Sequence, residues 1–462
     1  MLPANWVDAA SKHGQEHLLK VAEPLASAER FRFDEQLRSL NFEQLHKLYQ
    51  QAQQKETAHD FTQCEAPEIV RIPRSPAQRE KHVSMKQVGE AALKNGEVAI
   101  ILVAGGQGTR LGHEGPKGTY PIGPASNRSL FQIHAEKVLA LSLRYETNIP
   151  LLIMTSQEND QATRDFFAEN AGFGIHRDHI HFFTQGMLPA LDASTGKVLL
   201  KSESELALSP NGHGGVIDAL QSASLLDKLA EAGIKHCFYF QVDNPLVKIA
   251  DPTFLGYHID ARAQMSLKVL AKLNAHERMG NLVKYQNRLR IIEYTELPKE
   301  VAEETIEFGE LRIWAGSPAI HCFDLEFLQQ LGRGDIELPY HVAHKAVPYF
   351  ENGQTIKPEK PNAYKFERFV FDALPLAERT LAMETTRLEE FEPLKNAEGD
   401  NSPESVRRAL TFQYVQWMSA AGIKVPVAGK GIEISPLVAM DADDLIAHTI
   451  LKGKEPEPEP TR

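Results

Sequence analysis

The 462-residue chain is poor in cysteine, has no long apolar run and carries no excess of positive charge. Its three cysteines, Cys64, Cys237 and Cys322, are odd in number and too far apart for a zinc knuckle or a disulfide framework. A reducing compartment is the natural setting. No apolar stretch approaches the ~18 residues of a membrane span, and the opening MLPANWVDAASKHGQEHLL lacks the basic start and apolar centre of a signal peptide. These absences predict a cytoplasmic, soluble protein. Fifty Lys+Arg against 62 Asp+Glu leave a net charge of −12, which repels a polynucleotide backbone whose binding depends on releasing counterions to cations. Nucleic acid and membrane surfaces are therefore excluded as partners. A small polyanion held by a few placed cations is not.

With 42% apolar residues the chain has material for a sizeable core, and at ~100–200 residues per domain it accommodates two or three. Residues 1–90 read as a helical N-terminal segment, with Leu40, Phe42, Leu45, Leu48 and Tyr49 near helical spacing. At Val98 the texture changes to VAIILVA, a short β-rich run entering Gly105-Gly106, as a buried parallel strand would. Helix and strand then alternate. SLFQIHAEKVLALSL (129–143) and GGVIDALQSASLLDKLAEAG (214–233) read as helices, and PLLIMTS (150–156), HIHFFTQ (179–185) and HCFYFQVDN (236–244) as strands. Such alternation predicts an α/β fold with a doubly wound, mainly parallel sheet, with ligands beyond the strand ends at Gly105 and Asp243. Between 265 and 372 inserted antiparallel strands are expected beside the main sheet, one hairpin turning at Asn352-Gly353. The division is a core domain over 91–400, a small C-terminal domain over 401–452 and a disordered Pro/Glu-rich tail over 453–462.

The informative stretch is LVAGGQGTRLGHEGPKGTYPIG, residues 102–123. A dinucleotide fingerprint would need glycine where Leu111 stands, and a P-loop would need Gly-Lys-Ser/Thr where Pro116-Lys117-Gly118 stands. Hydride transfer and P-loop hydrolysis both lose ground. What remains is a strand, three glycines in four residues, then Arg110 and Lys117 at fixed offsets. Glycines admit a nucleotide close to backbone N–H groups, and the two cations can reach successive phosphates.

The pattern GGxGTRLGxxxPKG resembles the signature of the eukaryotic-type UDP-sugar pyrophosphorylases, the group of UDP-N-acetylglucosamine and UDP-glucose enzymes. The blocks SLFQIHAEK, QGMLPALD, PNGHGG, QVDNPLVKIADPTFLG, IIEYTE, IKPEKPN, KFERFVFD and EPLKNAEGDNSP resemble the N-acetylglucosamine type in the same order, over roughly residues 40 to 440. The resemblance implies a Rossmann-like nucleotidyltransferase core. The implied reaction joins UTP and a sugar 1-phosphate, most often an N-acetylhexosamine 1-phosphate, into a UDP-sugar and pyrophosphate, with Mg²⁺. The nucleophile is already an ionised phosphate, so positioning and charge neutralisation do the work.

By the same resemblance Val103, Ala104, Gly105 and Gly106 meet the nucleotide, Arg110 addresses the departing pyrophosphate and Lys117 holds the phosphates. Lys365 and Lys395 match two further family lysines, so four cations would converge on one polyanion. Gln185 matches the uracil-reading element, where an amide both donates and accepts, and Gly212 joins the nucleotide contacts. Asp243, ending a strand, is placed to hold Mg²⁺, which prefers one or two carboxylates plus phosphate and water oxygens. Its alternative is an Asp that caps the next turn. Sugar recognition falls to His213, Gly280, Glu293, Tyr294 and Ser317. Two of these depart from the N-acetylglucosamine pattern, which has Asn at the positions of His213 and Ser317; the departure opens a glucose or broad-specificity alternative. A non-catalytic UDP-sugar sensor is the competing class, against which the retained cations and Asp243 argue. His176, His179, His181, His341 and His344 fit no metal motif and read as structural.

Overall fold

The computed structural model describes residues 2–54, 61–426 and 431–452; the expected tail 453–462 lies outside them. The chain divides into two compact units, neither continuous in sequence. The first gathers described residues of 1–60, 185–215 and 338–370, and the second those of 61–184, 216–337 and 371–462.

In the second unit β1 (Val98–Val103), β2 (Leu151–Thr155), β3 (Ile180–Thr184) and β4 (His236–Gln241) form a parallel block in the order β4-β1-β2-β3. Both faces are covered, which is why VAIILV and LLIMT are buried almost throughout and show no alternation. From β1 the chain steps one way to β2 and β3, then returns to place β4 on the other side of β1. The carboxyl ends of β1 and β4 thus flank the point where strand order reverses, the place where such sheets bind ligands.

Antiparallel strands extend the same sheet. They are β5 (Met265–Ala271), β6 (Gly280–Tyr285), β7 (Arg288–Ile292), β8 (Ala315–Ser317) and β9 (His321–Asp324), while β10 (Thr380–Glu384) runs parallel to β5. The expected layer beside the sheet is therefore a continuation of it. β6 and β7 turn at Gln286-Asn287, both at positive φ (49° and 61°). β8 and β9 are one strand interrupted at Pro318-Ala319, where Ala319 takes φ 59° and the register against β5 slips. Proline in a sheet is confined to such interruptions because it offers no ladder N–H.

Three sequence readings are corrected by packing. The stretch 214–233 is not one helix but two, Val216–Ser222 and Leu225–Glu231, broken at Ser224 with φ 54°. On one continuous helix the buried Val216, Ile217 and Leu220 would point away from the buried Leu225, Leu226 and Leu229; the break turns both stripes inward. Residues 401–452 do not stand apart, since Val406, Leu410, Tyr414 and Met418 of the helix Pro403–Ala420 share a core with Val98, Ile100 and Phe240. Nor do residues 1–90 act together. Helix Pro76–Lys94 packs in the second unit against Pro252–Asp260, crossing where a Cβ on Gly89 or Gly256 would strike the other helix's backbone at 1.9 and 1.7 Å.

The four helices Ala4–Lys12, His17–Ala22, Ser27–Arg38 and Phe42–Gln53 belong to the first unit. Their apolar faces meet Leu191, Val198 and Phe366 around Trp6, Phe33 and Leu37, and the Trp6 indole donates to the Leu37 carbonyl at 2.7 Å. A small antiparallel sheet of His341–Lys345, Ala363–Glu367 and Leu191–Asp192 completes this core. The hairpin at Asn352-Gly353 forms here, with φ 52° and 79°.

Candidate active site

Beyond β1 the glycine-rich loop folds back on itself. Gly108 donates to the Gly115 carbonyl at 2.9 Å and Lys117 donates its backbone N–H to Gly106 at 3.0 Å, so the loop's two ends are pinned together. Two glycines are demanded by contact. A Cβ at Gly108 would meet His113 at 2.8 Å, and one at Gly118 would enter the Phe131 ring at 2.2 Å. At Gly106 the nearest atom is the Lys117 side chain at 4.0 Å, leaving exposed backbone that a ligand can approach. Buried Asn159 ties the loop to the sheet, its amide donating to the carbonyls of Ala104 at 3.0 Å and Gly106 at 3.4 Å. Arg110 stands exposed in the short turn Thr109–Leu111.

The turn after β4 lies beside this loop because Val242 donates to the Val103 carbonyl at 3.0 Å. Lys117 Nζ comes within 3.8 Å of Asp243 Oδ2, both side chains largely shielded. Leu394 donates to the Asp243 carbonyl at 2.7 Å, which carries the backbone of Lys395 to the same turn. Lys117 and Asp243, far apart in sequence, therefore meet at the switch point, and the exposed Lys395 follows the residue bonded to Asp243. Among the described residues no three His, Cys, Asp or Glu side chains group to hold a metal. A single carboxylate fits a cation that takes its other oxygens from phosphate and water, and not one caged by protein.

The expected sugar contacts of this unit collect at one sheet end. Gly280 pairs with Ser317, and Asn281 pairs with Ile292, so Glu293 follows immediately beside Gly280. Tyr294 next to it is exposed.

Gln185, Gly212, His213 and Lys365 belong to the first unit. The Gln185 amide donates to the Gly212 carbonyl at 2.7 Å, so one of the donors expected to read a base is committed to holding the turn. His213 Nδ1 accepts from the Val370 N–H at 3.2 Å, and its ring stacks on Phe369 at 5.3 Å. Burial and the neighbouring His341 push its pKa down to about 4. The ring is thus neutral, with its proton on Nε2 because Nδ1 accepts. Lys365 sits half-buried on the strand Ala363–Glu367.

Sequence reasoning missed the residues that hold the Asp243 turn: His134, Lys137, Asn244 and Glu390. Asn244 donates to the Glu390 carbonyl at 2.7 Å and accepts from Glu392 at 3.3 Å, and the buried Glu390 carboxylate accepts from the Lys248 N–H at 3.2 Å. A signal was available for one of them. His134 and Lys137 stand three residues apart in a mainly apolar helix, the spacing that puts two side chains on one face.

A loop of exposed amides and a lysine–carboxylate pair at the reversal of a doubly wound sheet define the protein as a nucleotide-handling α/β enzyme. The chain belongs to the family described as UTP–glucose-1-phosphate uridylyltransferase, which matches residues 40–443; it is a uridylyltransferase of the pyrophosphorylase class. It is 38% identical over 402 residues to UDP-N-acetylglucosamine diphosphorylase 2 of Arabidopsis thaliana, covering 82% of this chain and 78% of that one. To the UDP-N-acetylglucosamine pyrophosphorylase of Saccharomyces cerevisiae it is 38% identical over 379 residues, 80% and 78% of the two chains. The crystal structure of the Trypanosoma brucei UDP-N-acetylglucosamine pyrophosphorylase superposes with a TM-score of 0.83 at 27% identity, covering 96% of this chain and 94% of that one. No described helix is long and apolar enough to cross a membrane.

Proposed function

We propose that the protein forms a UDP-N-acetylhexosamine and pyrophosphate from UTP and an N-acetylhexosamine 1-phosphate, with Mg²⁺, in the cytoplasm. The observation that carries the reaction is the approach of Lys117 to Asp243 beyond β1 and β4, with Lys395 next to the Leu394 that bonds Asp243. The relatives' names support the sugar, and three buried cysteines outside any disulfide support the compartment. An oxygen of the sugar phosphate attacks the α-phosphorus of UTP; the bond from that phosphorus to the bridging oxygen breaks, and its electron pair leaves with pyrophosphate. Both reactants are anions, so the barrier is their mutual repulsion. Lys117 and Lys395 offset that charge, and Arg110 meets the leaving group. When bound, Mg²⁺ would neutralise phosphate oxygens, held by Asp243. Gln185, Lys365 and Gly212 carry the expected base and phosphate contacts, and His213, Gly280, Glu293, Tyr294 and Ser317 those to the sugar.

A glucose or broad-specificity reading rests on His213 and Ser317, where two amides are replaced. Pyrophosphate release from UTP with the 1-phosphates of N-acetylglucosamine, N-acetylgalactosamine, glucose and galactose separates the readings. The highest kcat/KM is expected with an acetamido sugar. Preference for glucose 1-phosphate would overturn the sugar assignment, and silence across the panel with UDP-sugar binding intact would make the protein a sensor.

A further inference from the structure

The turn that carries Asp243 has no regular secondary structure, so its carbonyls need partners from elsewhere. Helix Leu130–Tyr145 supplies them. His134 Nε2 donates to the Val242 carbonyl at 2.9 Å, and Lys137 Nζ donates to Pro245 at 2.6 Å and to Val247 at 2.8 Å. Two side chains on one helix face thus serve three carbonyls that bracket Asp243. From the opposite side Leu394 donates to Asp243 and Asn244 donates to Glu390. Helix and loop grip the turn between them.

We propose that Lys137 is a positioning residue that sets the Asp243 carboxylate against Lys117, acting through the backbone of residues 245–247. The inference rests on the reading of Asp243 as the Mg²⁺ carboxylate. Pro245 has no N–H and cannot join a ladder of its own, so the lysine is what orders this stretch on the helix side. Its ammonium is long enough to reach both carbonyls; a shorter donor would reach one. Groups that orient a metal's carboxylate act on metal affinity by about 10–100-fold, whereas a side chain that only satisfies buried carbonyls acts on stability.

The test uses the full chain with Lys137→Met, Lys137→Arg and Asp243→Asn. Mn²⁺ binding in the presence of UTP is followed by electron paramagnetic resonance, beside kcat, the sugar-phosphate KM and the melting temperature. Lys137→Met is expected to weaken Mn²⁺ binding and lower kcat by roughly tenfold each, with the sugar-phosphate KM nearly unchanged, and Lys137→Arg to restore most of both. Should Lys137→Met not fold, Lys137→Gln, which keeps a donor without the reach, carries the same expectation. A Lys137 variant that melts lower but binds Mn²⁺ and turns over as the wild type does, while Asp243→Asn loses Mn²⁺, overturns the inference alone. Unchanged Mn²⁺ binding in Asp243→Asn overturns the reading of Asp243 and the inference with it.

Discussion

Lys268 is fully buried in β5, and its ammonium bonds Asp251 at 2.8 Å and the Glu390 carboxylate. Burial alone would lower its pKa, but the two carboxylates more than offset that and raise it. Replacing it with methionine keeps the volume and leaves the buried Glu390 and the half-buried Asp251 without this cation, which costs about 3–5 kcal/mol. Lys268→Met should therefore lower the denaturant midpoint sharply; a shift worth under about 1 kcal/mol, the scale of a surface pair, would show that water already serves these carboxylates. The contrast with Lys117 shows what was legible at this scale. Arg110 and Lys117 stand in a glycine-rich motif and Asp243 at the end of an apolar run, places where residue type and position single out a side chain. Lys268 and Glu390 stand in ordinary strand and helix sequence, and only the three-dimensional meeting of β5 with residues 385–394 reveals that they share a network.

Glu433 shows how one side chain fixes a whole element. Its carboxylate accepts from the N–H groups of Ala125 and Ser126 at 2.9 Å each, from the Ser126 hydroxyl at 2.6 Å and from Arg128 at 3.2 Å, clamping the loop that leads into helix Leu130–Tyr145. Burial raises its pKa, the hydrogen bonds lower it more, and the net direction is down. A carboxylate depressed in the fold contributes stability that is complete above its unfolded pKa and is lost as pH falls through the folded one. Glu433→Gln should accordingly cost about 2 kcal/mol near pH 7. The melting temperatures of variant and wild type should converge as pH drops below 4.5; a gap independent of pH would remove the charge from the account. Elements were more legible than their joints. The strands VAIILV and LLIMT declare themselves through uniform apolarity, but the break at Ser224 depends on which face each half of 216–231 must bury, a fact about neighbours and not about local sequence.

For the molecule as a whole, the net charge of −12 coexists with a lysine, Lys117, held at the switch point. The field far from the site stays negative, so retention on a single-stranded DNA column at about 0.1 M salt is expected to be nil, because affinity there scales with the number of phosphates neutralised. Retention that falls steeply with added salt would reveal a basic surface this charge balance hides. Global composition made that much readable. It gave no sign that residues 1–60 belong with 185–215 and 338–370, since apolar periodicity tells a segment to be buried without naming its partner.

That interleaving sets a clock on biosynthesis. Phe33 and Leu37 find Phe366 only after about 330 further residues have left the ribosome, which at ~5–20 residues per second takes roughly 15 s to 1 min. During that wait the first helices have one another and, after about 150 residues, Leu191 and Val198, but the core still lacks Phe366. The core of the first unit thus stays incomplete until late in synthesis, and slowing translation between Ala52 and Leu338 should lengthen the exposure of its apolar surface.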